Sequence, residues 1–155
     1  MVEADERQTL YAFLDYLRGC VAAKASDVPE STGRREVVPS GTSVYWLVSH
    51  LTAVEINLFQ RILDGRAEEA LVPPRPSLEG DRLDFALARY QVACAESRSI
   101  AESFPDLGVR GRGVERRTGQ PRTVRWIFIH AIEETARHAG HLDILCEQLD
   151  GRTGR

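Results

Sequence analysis

Histidines and a carboxylate that could bind a metal ion recur in the last third of the sequence. His130, Glu134, His138 and His141 follow one another at spacings of three and four residues. In an α-helix, with about 100° per residue, these positions and the apolar residues that flank them lie within a wedge of about 80°. Burying a carboxylate with several imidazoles is costly unless a partner compensates for their lost hydration. The pattern therefore predicts a divalent cation on this helix face.

The predicted ligand set combines two helices. Glu134 and His138 are four residues apart, so both can chelate one ion from the same helix face. His50 follows Leu47 by three residues and precedes Val54 by four, so it shares the apolar stripe of an earlier helix and can supply the third ligand. Two histidines and a carboxylate are typical of open zinc and iron(II) sites, which keep a position for water or substrate.

Each predicted ligand also has a simpler structural interpretation. His50 could be a hydrogen-bonded core histidine, and Glu134 with His138 could form an ordinary pair on a solvated helix surface. However, Ile127 and Leu145 share the face of that pair and favour a buried position. We therefore predict that the three side chains face the interior and bind the metal.

Several polar neighbours allow more than one role. His141 could be a fourth ligand, a residue that positions a ligand, or a proton carrier, and we take it as the catalytic proton carrier. His130 lies one turn before the predicted carboxylate ligand and is predicted to be a positioning or structural residue. Glu133 and Arg137 are predicted to form a solvated pair. Glu55 lies off the apolar line of its helix and is predicted to be exposed.

Hydrophobic periodicity predicts four helices that position these residues. They run from Asp5 to Ala25, from Thr42 or Ser43 to Gly65, from about Asp81 to Phe104, and from about Thr123 to Leu149. Each is roughly 20 residues long, a length that suits a helical bundle. The sequence therefore predicts an all-α four-helix bundle that occupies residues 1–155 as a single domain.

Turn-rich stretches connect the predicted helices. Residues 26–41 contain two prolines and two glycines, and residues 66–80 contain three prolines. Residues 106–122 carry five arginines and several glycines. This segment could hold a short extended turn and could receive an anionic group, although a solvated loop is the preferred interpretation. Trp46 and Trp126 begin the second and fourth helices, where they could pack the bundle ends or cover a pocket.

The composition narrows the class of protein. The chain has 155 residues, of which 43% are hydrophobic and 28% charged, and its net charge of −3 argues against a nucleic-acid partner. No apolar run approaches the roughly 18 residues of a membrane span, and the acidic first residues do not resemble a secretory signal. Three cysteines without CxxC spacing favour reduced thiols in a cytoplasm. Cys94 and Cys146 are predicted to be small buried side chains rather than nucleophiles.

Two of the predicted helices resemble those of a known superfamily. Residues 44–55 (VYWLVSHLTAVE) and 126–141 (WIFIHAIEETARHAGH) resemble the second helix and the metal-binding fourth helix of the DinB-like superfamily. The resemblance implies a bundle with up-down-down-up order and a three-residue metal site, which His50 and His138 match directly. Glu134 stands where a histidine is usual, and this departure makes the chain more similar to the metal-binding domain of mycothiol-dependent maleylpyruvate isomerase, where a glutamate takes that place. His141 stands where many relatives carry glutamine.

The resemblance also implies a function. Superfamily members with known activity are often metal-dependent enzymes that use a low-molecular-weight thiol such as mycothiol or bacillithiol, and some form dimers. We therefore expect a bacterial, divalent-metal-dependent thiol S-transferase or isomerase that acts on a small electrophile. Zinc is the expected ion, and Ni²⁺, Fe²⁺ or Mn²⁺ are alternatives. A homodimer is one expected assembly. A metal-binding or stress-response protein without enzymatic activity and a metal-assisted hydrolase are the alternative functions.

Overall fold

Five α-helices account for most of the chain that the structure describes. The structure is a computed structural model that describes residues 5–72 and 82–153. The helices are α1 (Glu6–Ser26), the single-turn α2 (Glu30–Gly33), α3 (Val44–Glu55), α4 (Leu83–Glu102) and α5 (Val124–Asp150). A π-helical segment, Ile56–Leu63, continues α3, and a short 3₁₀ turn, Glu68–Ala70, follows it.

The four long helices agree with the prediction of an all-α bundle, which is confirmed. Their ends fall within a few residues of the predicted bounds where the structure describes them, if α3 is taken together with the π-helical segment that continues it. The predicted start of the third helix at Asp81 lies outside the described residues, as do the prolines that predicted a loop before it.

Side-chain caps fix where the long helices begin. Asp5, Ser43 and Thr123 each accept a hydrogen bond from the backbone N–H three residues later, which satisfies a donor that the first helical turn leaves unpaired. Gly65 and Gly151 follow the last residues of their helices closely and adopt φ values of 74° and 79°. Glycine takes this left-handed conformation without steric cost, which explains why the helices end there.

Side chains from all four long helices fill the core. α1 packs against α4 and α5, and α3 packs against the same two helices. The largest fully buried side chains come from every long helix and from the π-helical segment, namely Leu14, Leu47, Phe59, Tyr90 and Phe128. Tyr11 contacts Phe128, and Lys24 pairs with Asp143, so α1 and α5 run parallel to each other. The up-down-down-up order of all four helices stays a prediction.

The arginine-rich segment before α5 is a narrow hairpin. Two antiparallel bridges join Arg110 to Thr123 and Glu115 to Gln120. The hairpin docks on the end of the π-helical segment, where Arg112 N–H donates to the carbonyl oxygen of Leu63 at 2.8 Å. The next residue, a glycine, is required because a Cβ there would collide with the carbonyl oxygen of Arg61. The extended turn that the sequence could not place is therefore part of the bundle's packing.

The prediction that Glu55 is exposed is wrong. Its residue exposure is 2%, and it accepts two hydrogen bonds from Arg18 of α1, Nε to Oε1 at 2.8 Å and Nη2 to Oε2 at 2.6 Å. Burial works to lower the pKa of Arg18, but the charge of Glu55 outweighs it and raises that pKa above the usual value. Since α3 contacts α1, α4 and α5, more of its circumference is buried than its apolar stripe indicates.

Replacing Glu55 by alanine should destabilise the fold strongly. The substitution removes the buried partner of the Arg18 guanidinium and leaves only the more exposed Asp15 carboxylate, 3.2 Å from its Nη1; breaking a buried pair typically costs about 3–5 kcal/mol. Urea denaturation measures the loss. The control Glu133→Ala removes a half-exposed carboxylate of α5 and should change the free energy of unfolding by less than about 0.5 kcal/mol. The double variant Arg18→Met/Glu55→Leu should recover most of the loss, and equal stability of Glu55→Ala and the native chain would contradict the role assigned to the pair.

Candidate metal centre

Three side chains from α3 and α5 converge between these helices, with His138 buried and His50 and Glu134 partly exposed. Their potential ligand atoms, one each from His50, Glu134 and His138, all lie within 4.8 Å of one another. Nε2 of His138 lies 3.3 Å from Oε2 of Glu134, and Nε2 of His50 lies 4.0 Å from the same oxygen. The rings of the two histidines meet edge to face, with centroids 4.6 Å apart. The structure thus brings together the three residues that the sequence predicted as ligands.

The backbone of two helices sets this geometry. Glu134 and His138 lie one turn apart on α5, on a face that continues into the buried Ala131 and Leu142. On α3, His50 lies one turn after Trp46, whose indole stacks on the imidazole with centroids 5.1 Å apart and planes inclined by 3°. The indole fixes the His50 ring from one side, which leaves its edge directed at α5.

A buried nitrogen of His138 tests whether a cation fits this site. Nε2 of His138 is buried and has no hydrogen-bond partner, although Oε2 of Glu134 is 3.3 Å away. A buried polar atom without a partner is unfavourable and uncommon in folded proteins. A divalent cation would satisfy this nitrogen, and the side-chain exposure of Glu134 is only 14%. In a tetrahedral zinc site, ligand nitrogens and oxygens lie about 3.3 Å apart; the spacing of His138 and Glu134 equals this, and that of His50 and Glu134 is longer at 4.0 Å. The residues present therefore fit a divalent metal.

The charges around the site keep its residues in the protonation states that metal binding needs. Burial works to raise the pKa of Glu134, but the hydrogen bond and the charge of Arg137 outweigh it, so this pKa lies below the usual value. Burial lowers the pKa of His138, and the neighbouring His50 lowers it further. At neutral pH the site therefore presents a carboxylate and a neutral imidazole, the forms that bind metal ions.

The other two histidines of α5 lie beside the site. His141 is exposed, and its Nδ1 lies 3.3 Å from Nδ1 of His138, on the opposite ring edge from the unpartnered Nε2. His130 packs against Trp126, with ring centroids 4.9 Å apart, and its Nδ1 lies 3.4 Å from Glu133. Glu133 is exposed, and it pairs with Arg137 as the sequence predicted.

A second group of possible ligands shares one residue with the first. His130, Glu133 and Glu134 also place one potential ligand atom each within 4.8 Å of one another. Glu133 is exposed in that group, and its members do not include a buried nitrogen without a partner. The group centred on His138 therefore fits a bound cation better.

A cavity of about 320 Å³ adjoins the three-residue group. Trp46, His138 and His141 form one side of it, and residues of the segment before α3 and of the last turns of α5 form the rest. Trp46 thus lines a pocket, as one of the two sequence-based interpretations proposed. Trp126 does not share this role, since it precedes His138 by 12 residues, or about 18 Å along α5.

Comparison with known protein families adds to this geometry. The family model described as MST, mycothiol-S-transferase, matches residues 9–151. The chain belongs to this family. The family is a member of the DinB-like superfamily, so the superfamily resemblance of the two helices is confirmed. Neither the curated proteins nor the solved structures gave a match.

The helices of this mycothiol-S-transferase family member were also compared with the requirements of a membrane span. In the described part of the chain, no helix combines the length and the apolar character needed to cross a membrane.

In the hairpin before α5, Arg112 pairs with Asp64 and Arg122 pairs with Glu115. These two arginines therefore already have counter-charges, which weakens the interpretation of the hairpin as a site for an anionic group.

The role of Arg137 was missed from the sequence. It was predicted to pair with Glu133 alone, but its guanidinium also donates to Oε1 of Glu134. The spacing of three residues between Glu134 and Arg137 was a sufficient signal for this contact. The arginine leaves the other carboxylate oxygen, Oε2, facing the two histidines.

Cys94 lies next to the buried Arg18–Glu55 pair, away from the histidines. Burial and the negative charge of Glu55 raise the pKa of the Cys94 thiol to about 12. A thiol with this pKa carries almost no thiolate near neutral pH, and the thiolate is the nucleophile. Cys146 is buried, and burial raises its pKa as well. Neither cysteine therefore has the properties of a catalytic nucleophile.

Cys94 should resist alkylation in the folded protein. At pH 8 its pKa of about 12 leaves roughly one thiol in ten thousand ionised, so iodoacetamide should not label it within an hour. Mass spectrometry of peptides after labelling locates the modified cysteines. In urea, where the burial and the Glu55 contact are lost, Cys94 should be labelled fully. Rapid labelling of Cys94 in the folded chain would contradict the protonated state described here.

Proposed function

We propose that the chain is a metal-dependent S-transferase that joins mycothiol to a small electrophilic molecule. The ion, which we infer to be zinc, would be held by His50, Glu134 and His138. The unpartnered buried Nε2 of His138, within reach of two other potential ligands, is the observation that carries the proposal. The match to the mycothiol-S-transferase family supports the choice of thiol.

The proposed reaction is a nucleophilic substitution. When bound, the divalent ion would lower the pKa of a thiol so that its sulfur is deprotonated at neutral pH. The sulfur donates an electron pair to an electrophilic carbon, and a sulfur–carbon bond forms. The bond from that carbon to its leaving group breaks, and the leaving group departs with the bonding pair. The thiol proton is released to the solvent, so charge and atoms balance.

Residues around the three ligands would orient them. The Trp46 indole restrains the His50 ring, and Arg137 holds one oxygen of Glu134 so that the other faces the histidines. If Nδ1–H of His138 donates to Nδ1 of His141, then Nε2 of His138 keeps its lone pair for the ion. The proton of His141 then lies on its own Nε2, on an exposed side chain that can exchange it with water. We propose His141 as the proton carrier, because its side chain is exposed and lies beside the proposed ligand His138.

We also infer that residues 1–155 form one domain. α1, near the start of the chain, packs along α5, near its end, and both contribute buried side chains to the same core. The two proposed ligand helices would therefore be held apart at a fixed distance by the whole bundle.

Substituting the proposed ligands should remove bound metal. Purified protein loaded with zinc should contain about one equivalent by elemental analysis, and His50→Ala, Glu134→Ala and His138→Ala should each lower the affinity by at least about tenfold. The matched control is His130→Ala, which removes a histidine of α5 that belongs only to the second group of possible ligands and should leave the zinc affinity unchanged. Unchanged zinc content in both His50→Ala and His138→Ala would reject the assignment of the ligands.

Turnover should require the metal and the thiol together. The zinc-loaded protein should consume mycothiol and chloroacetamide faster than the uncatalysed reaction, and chelation should abolish the difference. Replacing His141 by alanine should lower kcat by about tenfold to a hundredfold, because the proton must then leave without a carrier. Product formed without thiol would favour a metal-assisted hydrolase. A metal-dependent melting temperature without turnover would favour a metal-binding protein that is not an enzyme.

A further inference from the structure

The lining of the cavity beside the proposed metal site is too apolar to match the many hydroxyl groups of mycothiol. Trp46, Ile144 and Val38 contribute large apolar surfaces to its lining. Ser40 and Thr42 are at its edge, and their hydroxyl oxygens lie 2.9 Å apart, so they hydrogen-bond to each other. Of the residues that the structure describes, no lysine, arginine, aspartate or glutamate lines the cavity. Apart from Ser40, Thr42, the Trp46 indole N–H and the two histidines, the described lining residues offer no side-chain hydrogen-bond partners, so most of the sugar and inositol hydroxyls of mycothiol would lack partners there.

Two side chains of the lining expose large apolar surfaces to solvent. Trp46 is 50% exposed and Ile144 is 51% exposed, one on α3 and the other on α5. An apolar ligand between them would remove both surfaces from water, and this is favourable. The Trp46 indole also stacks on His50, so a group held against the indole would lie next to the proposed site. The cavity therefore adjoins the place where the sulfur would react.

The size of the cavity limits what it can hold. A cavity of roughly 150 Å³ accommodates a benzene molecule, and this one measures about 320 Å³. The volume suits a planar group of one or two rings. The flat indole surface also favours a planar ligand, since offset stacking of aromatic rings adds to the gain from burial.

We propose that this cavity binds the apolar, aromatic part of the electrophilic substrate and excludes the polar part of the thiol. The inference rests on the proposed function, because it assigns one of the two substrates of that reaction to the cavity. The substrate class is an electrophile whose reactive carbon is linked, directly or through a short spacer such as an amide, to one or two aromatic rings. The electrophilic carbon would lie at the His138 and His141 side, and the rings would lie between Trp46 and Ile144.

Two electrophiles with the same reactive group test the proposal. Chloroacetamide and N-naphthylchloroacetamide both lose chloride to a thiol, and the naphthyl compound adds two fused rings. Each kcat/KM is measured with zinc-loaded protein and mycothiol and is divided by the uncatalysed rate constant. The corrected ratio should favour the naphthyl compound by at least about tenfold. In Ile144→Asp, a carboxylate enters the apolar lining, and the ratio should fall by about tenfold.

A residue on the same helix provides the matched control. Ile129 is also an isoleucine of α5 and is 55% exposed, but it does not line the cavity. Ile129→Asp should keep both the ratio and the activity of the native chain. Melting temperatures of the two variants show whether either substitution unfolds the bundle, and Ile144→Gln replaces Ile144→Asp if the charge itself does so. A ratio that falls equally in Ile129→Asp and Ile144→Asp would overturn the assignment of the cavity.

Direct binding separates this inference from the proposed function. N-naphthylacetamide lacks the leaving group, and its binding to the zinc-loaded protein is measured by isothermal titration calorimetry. Saturable binding that is weakened in Ile144→Asp but not in Ile129→Asp would support the cavity assignment. This holds even if neither electrophile is turned over, because the absence of turnover rejects only the proposed transferase activity. Turnover of both electrophiles without a naphthyl preference, and without binding of N-naphthylacetamide, would reject the cavity assignment and leave the transferase standing.

Discussion

An imidazole nitrogen that is buried at the meeting point of two helices and lacks a hydrogen-bond partner is the constraint on which the site depends. Nε2 of His138 is buried without a hydrogen-bond partner, and burial lowers the pKa of the ring, which favours its neutral form. The carboxylate of Glu134 is ionised and partly buried beside it. A cation bound between α3 and α5 would satisfy this nitrogen and neutralise the carboxylate, and it would need ligands from both helices.

The rest of the bundle can be understood as the support for this pair of helices. α3 is tied to α1 by the buried contact between Glu55 and Arg18, and the π-helical segment that continues α3 is held by the hairpin before α5. Both contacts restrain the helix that carries His50. Rigid positioning matters because metal ligands that drift by an ångström lose much of their affinity.

Trp46 links the proposed metal site to the cavity, because it stacks on His50 and also lines the cavity. One face of the indole stacks on His50, and half of the side chain remains exposed at the cavity. A ligand held in the cavity would therefore contact the side chain that orients a proposed metal ligand. In the mycothiol-S-transferase family member described here, the apolar recess and the polar centre share one wall, which is the arrangement expected where an apolar molecule must meet a polar nucleophile.

The amino-acid sequence by itself determined the helices and the face that carries the site. Spacings of three and four residues placed Glu134 and His138 together on one helix, because the α-helical repeat is a local property of the backbone. The distance from His50 to that pair, the burial of Glu55 and the cavity beside Trp46 were decided by the tertiary structure. These depend on which helices are neighbours and how each is rotated, and a single helix's periodicity contains no information on either. Glu55 illustrates this, since a position off the apolar stripe became buried once α3 gained a neighbour on that side as well.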